Sequence, residues 1–408
     1  MTISSTKRRF PAQFWLMFAG LIISSTGTSM IWPFIMIYSS QKLNLPLAAV
    51  TSLMTINALM ALLASIVAGS LVDHFGRKGV MTIGLFGQAV AYLLFVPAHE
   101  FWLFALLMGL SGLFGPLYRV GSDAMLADMF GPEDRAQAYA MVRMGRNIGV
   151  ALGPVLGGLV VAISYNLGLY AAAIALSIFG LITAIFLQET IPQGSQHQAP
   201  HIKEQLQVFG EALRNGHFSR MMVAYTLMEI SNTLIWGFLA VYLKTNFGIN
   251  EARYSWLPTT NALMVVFLQV FITRLTRRKP PTKVMPIGAL FYAASMAIIA
   301  FSNSYWVFWI AMVVMTIGEM ITAPTATVYV TNLAPENQRG RYLGVFGLTW
   351  NIAMSIGPLS AGIFTDSFGM RAPYFFGTGV GLLSTLAFLA LDRFAQRQPA
   401  QPKQTEVS

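Results

Sequence analysis

The sequence has no cysteine. Disulfides, thiolate metal sites and a catalytic thiol are therefore excluded, and the redox compartment stays open. Charge is scarce too. Charged residues make up 10% of the 408 residues, against about 25% in a soluble domain. So little charge cannot clothe a water-facing surface. The remainder is apolar: 55% of residues are hydrophobic and the mean hydropathy is +0.60. This composition indicates a polytopic membrane protein. Five histidines are present, none at metal-ligand spacing. No nucleophile–base pair or phosphate loop is seen either, so an enzyme has no support. No metal or cofactor is expected.

A membrane span needs about 20 mainly apolar residues. Twelve segments qualify: 14–38, 49–72, 79–97, 101–127, 136–162, 167–188, 220–243, 255–275, 284–302, 305–331, 341–365 and 371–392. Their length and continuity favour helices over a β-barrel. Lys7, Arg8 and Arg9 precede an apolar run too long for a signal peptide and without a small-residue cleavage site, so it reads as the first span. Twelve spans put both termini on one side. The segments on that side hold 19 Lys and Arg, and the opposite loops hold four: Lys42, Lys244, Arg253 and Arg371. Positive residues favour the cytoplasm, so the expected orientation is N-in, C-in. The same placement accounts for most of the net charge of +10 without nucleic acid.

One long polar segment, 189–219, separates two sets of six spans. Within it Ile202, Leu206, Phe209 and Leu213 share a helical face, which suits a membrane surface. The expected organisation is a six-helix bundle at 1–188, a cytoplasmic linker with an amphipathic helix at 189–219, a second bundle at 220–392, and a polar, disordered tail at 393–408. The halves echo each other 204 residues apart. "IWPFIMIY" at Ile31–Tyr38 recurs as "IWGFLAVY" at Ile235–Tyr242, and "NALM" at Asn57–Met60 recurs at Asn261–Met264. Trp102 and Phe104 match Trp306 and Phe308. Asn147, Gly153, Pro154 and Gly158 match Asn351, Gly357, Pro358 and Gly362. Matched Asn, Trp and Gly-Pro are informative even in an apolar chain. Two homologous halves in parallel orientation form a transporter architecture, with a substrate site between them near the midplane.

"GSLVDHFGRKGVM" spans Gly69 to Met81, at the turn between spans 2 and 3. Gly69 permits close helix approach and Gly76 a tight turn. Asp73 can cap or face a helix N-terminus, and Arg77 needs an acidic partner. Read without a family, this is a basic loop obeying the positive-inside rule. With Gly69, Asp73, Gly76, Arg77 and Lys78 in place, it resembles the loop motif G-x-x-x-D-x-x-G-R-[RK] of the major facilitator superfamily. The resemblance implies gating, with Asp128 at the end of span 4 as the partner of Arg77. At the repeat position the motif has decayed to Arg277, Pro280 and Pro281.

"GVALGPVLGG", Gly149 to Gly158, lies inside span 5. Gly149, Gly153 and Gly157 recur every fourth residue and make a smooth packing face. With Pro154 and Gly158, the stretch resembles the antiporter motif G-x-x-x-G-P-x-x-G-G of the same superfamily. "GTSMIWPF", Gly27 to Phe34, resembles the span 1 signature of its drug:proton antiporters, where Pro33 can bend the helix. The resemblance covers nearly the whole chain. It implies an all-α membrane protein of twelve transmembrane helices in two pseudo-symmetric six-helix bundles, with spans 1, 4, 7 and 10 lining a central cavity.

Charge inside a span is costly and by default functional. Glu229 in span 7 and Glu319 in span 10 sit near mid-depth. Burial disfavours the charged form of a carboxylate, which suits proton exchange; the plain alternative is a neutral acid hydrogen-bonded between helices. Gly-Glu in span 10 resembles a branch of multidrug exporters, whose span 7 acid lies further along, near Trp236. Arg119 and Asp123, four apart on span 4, share a face. Arg143 and Arg146 on span 5 come to similar depth. The four read as a coupling cluster with Asp123 beside Arg119, or as a static network with snorkelling arginines. None of these charges has a charged repeat partner. Trp32, Pro33, Phe34, Trp236, Arg143, Arg146 and Asn147 are candidates for the cavity wall, where aromatics stack on cationic ligands. Tyr38 and Tyr242, at span ends, read as interfacial anchors.

The function expected is export of lipophilic, cationic compounds by alternating access, driven by a proton gradient. Glu319, Asp123 and Glu229 are the proton candidates. The partners are small-molecule substrates, protons and lipid, and the chain is expected to act as a monomer in the inner or plasma membrane. One alternative keeps the fold and carries an anionic metabolite or sugar on Arg119, Arg143 and Arg146. Another is a non-transporting membrane receptor.

Overall fold

The computed structural model describes residues 10–191, 210–335 and 338–397. Twelve helices within them are long and apolar enough to cross a membrane. In chain order they are α1 (Ala12–Leu43), α2 (Leu47–Phe75), α3 (Arg77–Phe95), α4 (Phe101–Met129), α5 (Pro132–Ile163) and α6 (Tyr165–Phe186). The second half holds α7 (Gly216–Phe247), α8 (Glu251–Thr276), α9 (Pro281–Phe301), α10 (Tyr305–Leu333), α11 (Arg339–Phe368) and α12 (Ala372–Arg397). Several exceed the span read from the sequence. A helix of 29 residues is about 44 Å long at 1.5 Å per residue, so its ends outreach the hydrocarbon core.

Two expectations about the ends change. The helix of α12 continues to Arg397, so residues 393–397 are ordered and only 398–408 fall outside the described residues. Ile202, Leu206 and Phe209 of the amphipathic stretch also lie outside them, and Leu213 is exposed.

The repeat is visible in burial. Trp102 and Trp306 are 79% and 64% exposed, whereas Phe104 and Phe308 are fully buried. Each pair starts a fourth helix of its half, one ring facing outward and one facing in. Tyr38 and Tyr242 are also buried, which corrects the anchor reading. The Tyr38 hydroxyl turns inward and donates to the Phe95 carbonyl at 2.9 Å.

Pro33 interrupts α1. Residues Trp32–Phe34 form a 3₁₀ turn between Ala12–Ile31 and Ile35–Leu43. Proline has no N–H to give the preceding turn, and the helix tightens there. Its repeat partner, Gly237, serves packing instead. The α7 helix runs unbroken, and a Cβ on Gly237 would lie 2.8 Å from Pro358 Cγ. The glycine makes room for α11.

Small residues set the packing within each half. A Cβ on Gly153 would meet Ser29 Cβ at 2.3 Å, and one on Gly357 would meet Thr233 Oγ1 at 2.1 Å. These are repeat-related contacts, α5 on α1 and α11 on α7. Gly149 and Gly157 press on α1 in the same way, against Ser25 and the Met30 carbonyl. The glycine face of span 5 is thus a helix-packing face.

The halves meet through a second symmetric pair. Gly158 of α5 sits against Glu251 and Ser255 of α8, and Gly362 of α11 sits against Leu47 and Thr51 of α2. Each contact maps onto the other by the 204-residue shift. Asp366 of α11 then accepts from the backbone N–H groups of Leu47 and Ala48, at 3.2 and 2.8 Å, which caps α2 from the opposite half. Across the other contact, Lys244 and Tyr165 both donate to Glu251. These contacts lie on the face away from the termini, and the halves are closed together there.

Candidate functional site

On the face that carries the termini, the α2–α3 turn is built around Arg77. Gly76 supplies φ +95°, a left-handed conformation open to glycine. The Arg77 guanidinium reaches Asp73 Oδ1 at 3.1 Å and Asp128 Oδ2 at 3.0 Å. Asp128 also accepts from Thr190 Oγ1 at 3.0 Å. Gly69 lies one turn before Asp73 on α2. The carboxylate at the N-terminus of α3 is not Asp73 but Glu189, which accepts from the backbone N–H groups of Arg77 and Lys78, each at 3.1 Å. Asp73 is committed to Arg77, across the Gly76 turn. Glu189 stands at the edge of the polar linker, and nothing in its immediate sequence marks it. A Cβ on Gly76 would lie 2.4 Å from its Oε2.

Between the halves lies a cavity of about 440 Å³. Of the residues singled out in the sequence, Trp32, Pro33, Asn57, Arg119, Pro154 and Trp236 line it. Sequence reasoning missed Trp350, Asn351 and Gln88, which line it as well. Asn351 is the repeat partner of Asn147, so the repeat held that signal. Gln88 is a lone amide in an apolar span, which is a signal of the same kind as an intramembrane charge.

Other candidates sit elsewhere. Phe34 is fully buried and packs edge-on against Tyr254 of the other half, 5.9 Å between ring centroids. The 3₁₀ turn rotates it away from the cavity. Arg143 and Asn147 are exposed and do not line the cavity. Asp123 pairs with Arg146 of α5 at 3.9 Å rather than with Arg119. Arg119, four residues earlier on α4, lines the cavity instead.

Neither Glu229 nor Glu319 lines this cavity. Each is held inside the second bundle by an asparagine. Asn261 of α8 donates to Glu319 Oε2 at 2.7 Å and to Thr316 Oγ1 at 3.0 Å. Its repeat partner Asn57 donates to the Met108 carbonyl at 2.9 Å. The same scaffold position therefore serves a backbone in one half and an acid in the other. On α7, Asn232 donates to Glu229 Oε2 at 2.9 Å and accepts from the Trp236 indole at 3.0 Å. Glu229 and Asn232 are each 6% exposed. Glu229 therefore lies behind the cavity wall, two hydrogen bonds from its surface.

A fold of twelve spans, a closed face and a cavity between the halves is that of a secondary transporter. The sequence model of the Major Facilitator Superfamily matches residues 17–227 and 221–407. The chain is a member of the Major Facilitator Superfamily. It is a multi-pass membrane transporter. A Na(+), Li(+), K(+)/H(+) antiporter of Planococcus maritimus is 28% identical over 373 residues, covering 84% of this chain and 87% of that one. The quinolone resistance protein NorA of Staphylococcus aureus is 22% identical over 382 residues, covering 92% and 96%. Among solved structures, the nucleoside transporter NupG superposes with a TM-score of 0.79 at 13% identity, covering 94% of this chain and all (100%) of its own. At that identity the likeness is one of fold.

Proposed function

We propose that this superfamily member is a proton-coupled antiporter that exports lipophilic organic compounds by alternating access. One observation carries the reading. The Trp236 indole on the cavity wall is linked through Asn232 to the buried carboxyl of Glu229. A compound stacked in the cavity and a proton on an interior acid would then be read by one helix. Glu319, held by Asn261, is the second proton candidate. An intramembrane acid that exchanges protons is a common relay in pumps and transporters. The antiporter and drug-resistance relatives support exchange and organic cargo respectively. Trp32, Trp236 and Trp350 supply flat apolar surface that suits lipophilic cations.

A second reading concerns the cargo. Arg119 is the one charged side chain among the described residues lining the cavity. That favours a compound with an anionic group. The two are separated in proteoliposomes carrying an imposed pH gradient. Ethidium, a fluorescein-class anion, Na⁺ and K⁺ are added in turn and gradient collapse is recorded. Collapse by ethidium supports the cationic reading, and collapse by the anion alone supports the second. Collapse by Na⁺ or K⁺ alone would assign this chain the cargo named for its relative. No collapse by any would refute antiport.

A further inference from the structure

The Trp236–Asn232–Glu229 chain has a chemical logic beyond proximity. An indole N–H is donor only, whereas an amide both donates and accepts. With Trp236 bonded to Oδ1, the amide has one orientation left, and its NH₂ group must face Glu229. A donor aimed at a carboxyl group suits the ionised form; a carbonyl aimed at it suits the neutral acid, which has a proton to give. The indole therefore decides which face of the amide Glu229 meets.

We propose that Asn232 is the positioning residue that couples packing at the cavity wall to the protonation of Glu229. Cargo resting on Trp236 holds the indole on Oδ1 and the NH₂ group on Glu229, which favours the ionised acid, and its proton passes to solvent water as hydronium. With the cavity empty, the indole is free to leave Oδ1. The amide can then rotate, and its carbonyl accepts from the protonated acid. Binding of cargo and release of a proton become one event, as antiport requires. The inference rests on the antiport reading, with Glu229 as an exchanging group.

Two side chains of α7 hydrogen-bond Glu229, the Asn232 amide and the Tyr225 hydroxyl, and the amide is the one bonded in turn to a side chain of the cavity wall. Tyr225 on the same helix, Glu319 on α10 and Tyr292 on α9 are the titratable groups facing Glu229. From α11 and α12, which also pack on α7, come backbone carbonyls: Ala353 O accepts from Thr233 and Gly377 O from Ser231. Those bonds hold the helix and leave Asn232 between the indole and the acid. Glu319 has its own asparagine and no such link to the wall among the described residues.

The test needs no cargo. Tryptophan emission of the purified protein in lipid nanodiscs is followed from acidic to alkaline pH. The chain has eight tryptophans, so the Trp236→Phe variant defines the Trp236 component by difference. The proposal expects a pH-dependent Trp236 component that is lost in Glu229→Gln and lost equally in Asn232→Leu. Should Asn232→Leu fail to fold, Asn232→Ala takes its place. A component that survives removal of the Asn232 amide overturns the proposal, and so does wild-type emission with no Trp236 response to pH. Ethidium-driven proton release by the wild type in proteoliposomes reports separately on the antiport reading. Its absence would sink that reading, while the fluorescence result still judges Asn232.

Discussion

The two halves of the chain are the same scaffold used for different chemistry. Gly153 and Gly357 pack equivalent helix pairs, and Gly158 and Gly362 join the halves through equivalent contacts. Yet the first half concentrates its charge at the α2–α3 turn, around Arg77, Asp128 and Glu189, and presents Arg119 to the cavity. The second half has Arg277, Pro280 and Pro281 where that turn would be, and holds two acids, Glu229 and Glu319, each on an asparagine and off the cavity lining. Packing is constrained in both halves, because equivalent glycines leave no room for a Cβ. Charge is not, and on the antiport reading proposed above a proton site is needed only once.

The symmetric contacts give the largest expected effects. Gly158→Leu and Gly362→Leu would each drive a side chain into the opposite half, where even a Cβ comes within 2.6 and 2.1 Å of a hydroxyl. Overpacking of this kind costs about 1–3 kcal/mol. Both variants should open the closed face and abolish most transport. Because the chain has no cysteine, Ala48→Cys added to each background reports the opening by thiol labelling. Strong labelling in one background and none in the other would break the symmetry claim.

The matched asparagines come next. Asn261→Ala removes the recorded donor to Glu319, while Asn57→Ala removes a bond to a backbone carbonyl. Leaving a buried polar partner unsatisfied costs about 1–3 kcal/mol, more for an acid. Transport should fall about tenfold or more for Asn261→Ala and less for Asn57→Ala. Equal losses would remove the functional distinction between the halves. At the turn, Arg77→Ala breaks two ion pairs whose arginine is 12% exposed, with a smaller loss of about 1–2 kcal/mol in thermal stability. Arg277→Ala, at the decayed position, should change little by the same measure. The smallest effect belongs to Asp123→Asn. Its 3.9 Å pair with Arg146 is 37% and 44% exposed, which caps its worth at about 1 kcal/mol. A larger stability loss, insensitive to salt, would restore Asp123 to the functional site.

The fold was legible in the sequence because the bilayer imposes length and apolarity on every span, and the repeat doubled each signal. The Arg77–Asp128 pair was legible only through the family resemblance, since the two lie 51 residues apart, and the Asp73–Arg77 pair was not foreseen, although four residues separate them. What escaped were facts of rotation about a helix axis. Phe34 and Arg119 are both on lining spans, yet the 3₁₀ turn at Pro33 buries one while the other faces the cavity. Glu229 and Glu319 were visible as buried charge, but their asparagine partners depend on neighbours chosen in three dimensions. Asn232 lies three residues from Glu229 and four from Trp236, so that link was within reach of helical spacing. Glu189, 112 residues from Arg77, was not.

The central claim is that the proton is exchanged in the second half while cargo rests on a wall shared with the first. Its most direct test is ethidium-driven proton release from proteoliposomes holding the wild type, Glu229→Gln, Glu319→Gln or Arg119→Gln, with ethidium binding measured in parallel. The account predicts that both glutamine-for-glutamate variants still bind ethidium and lose proton release, and that Arg119→Gln retains release. Undiminished release in both Glu229→Gln and Glu319→Gln would contradict it.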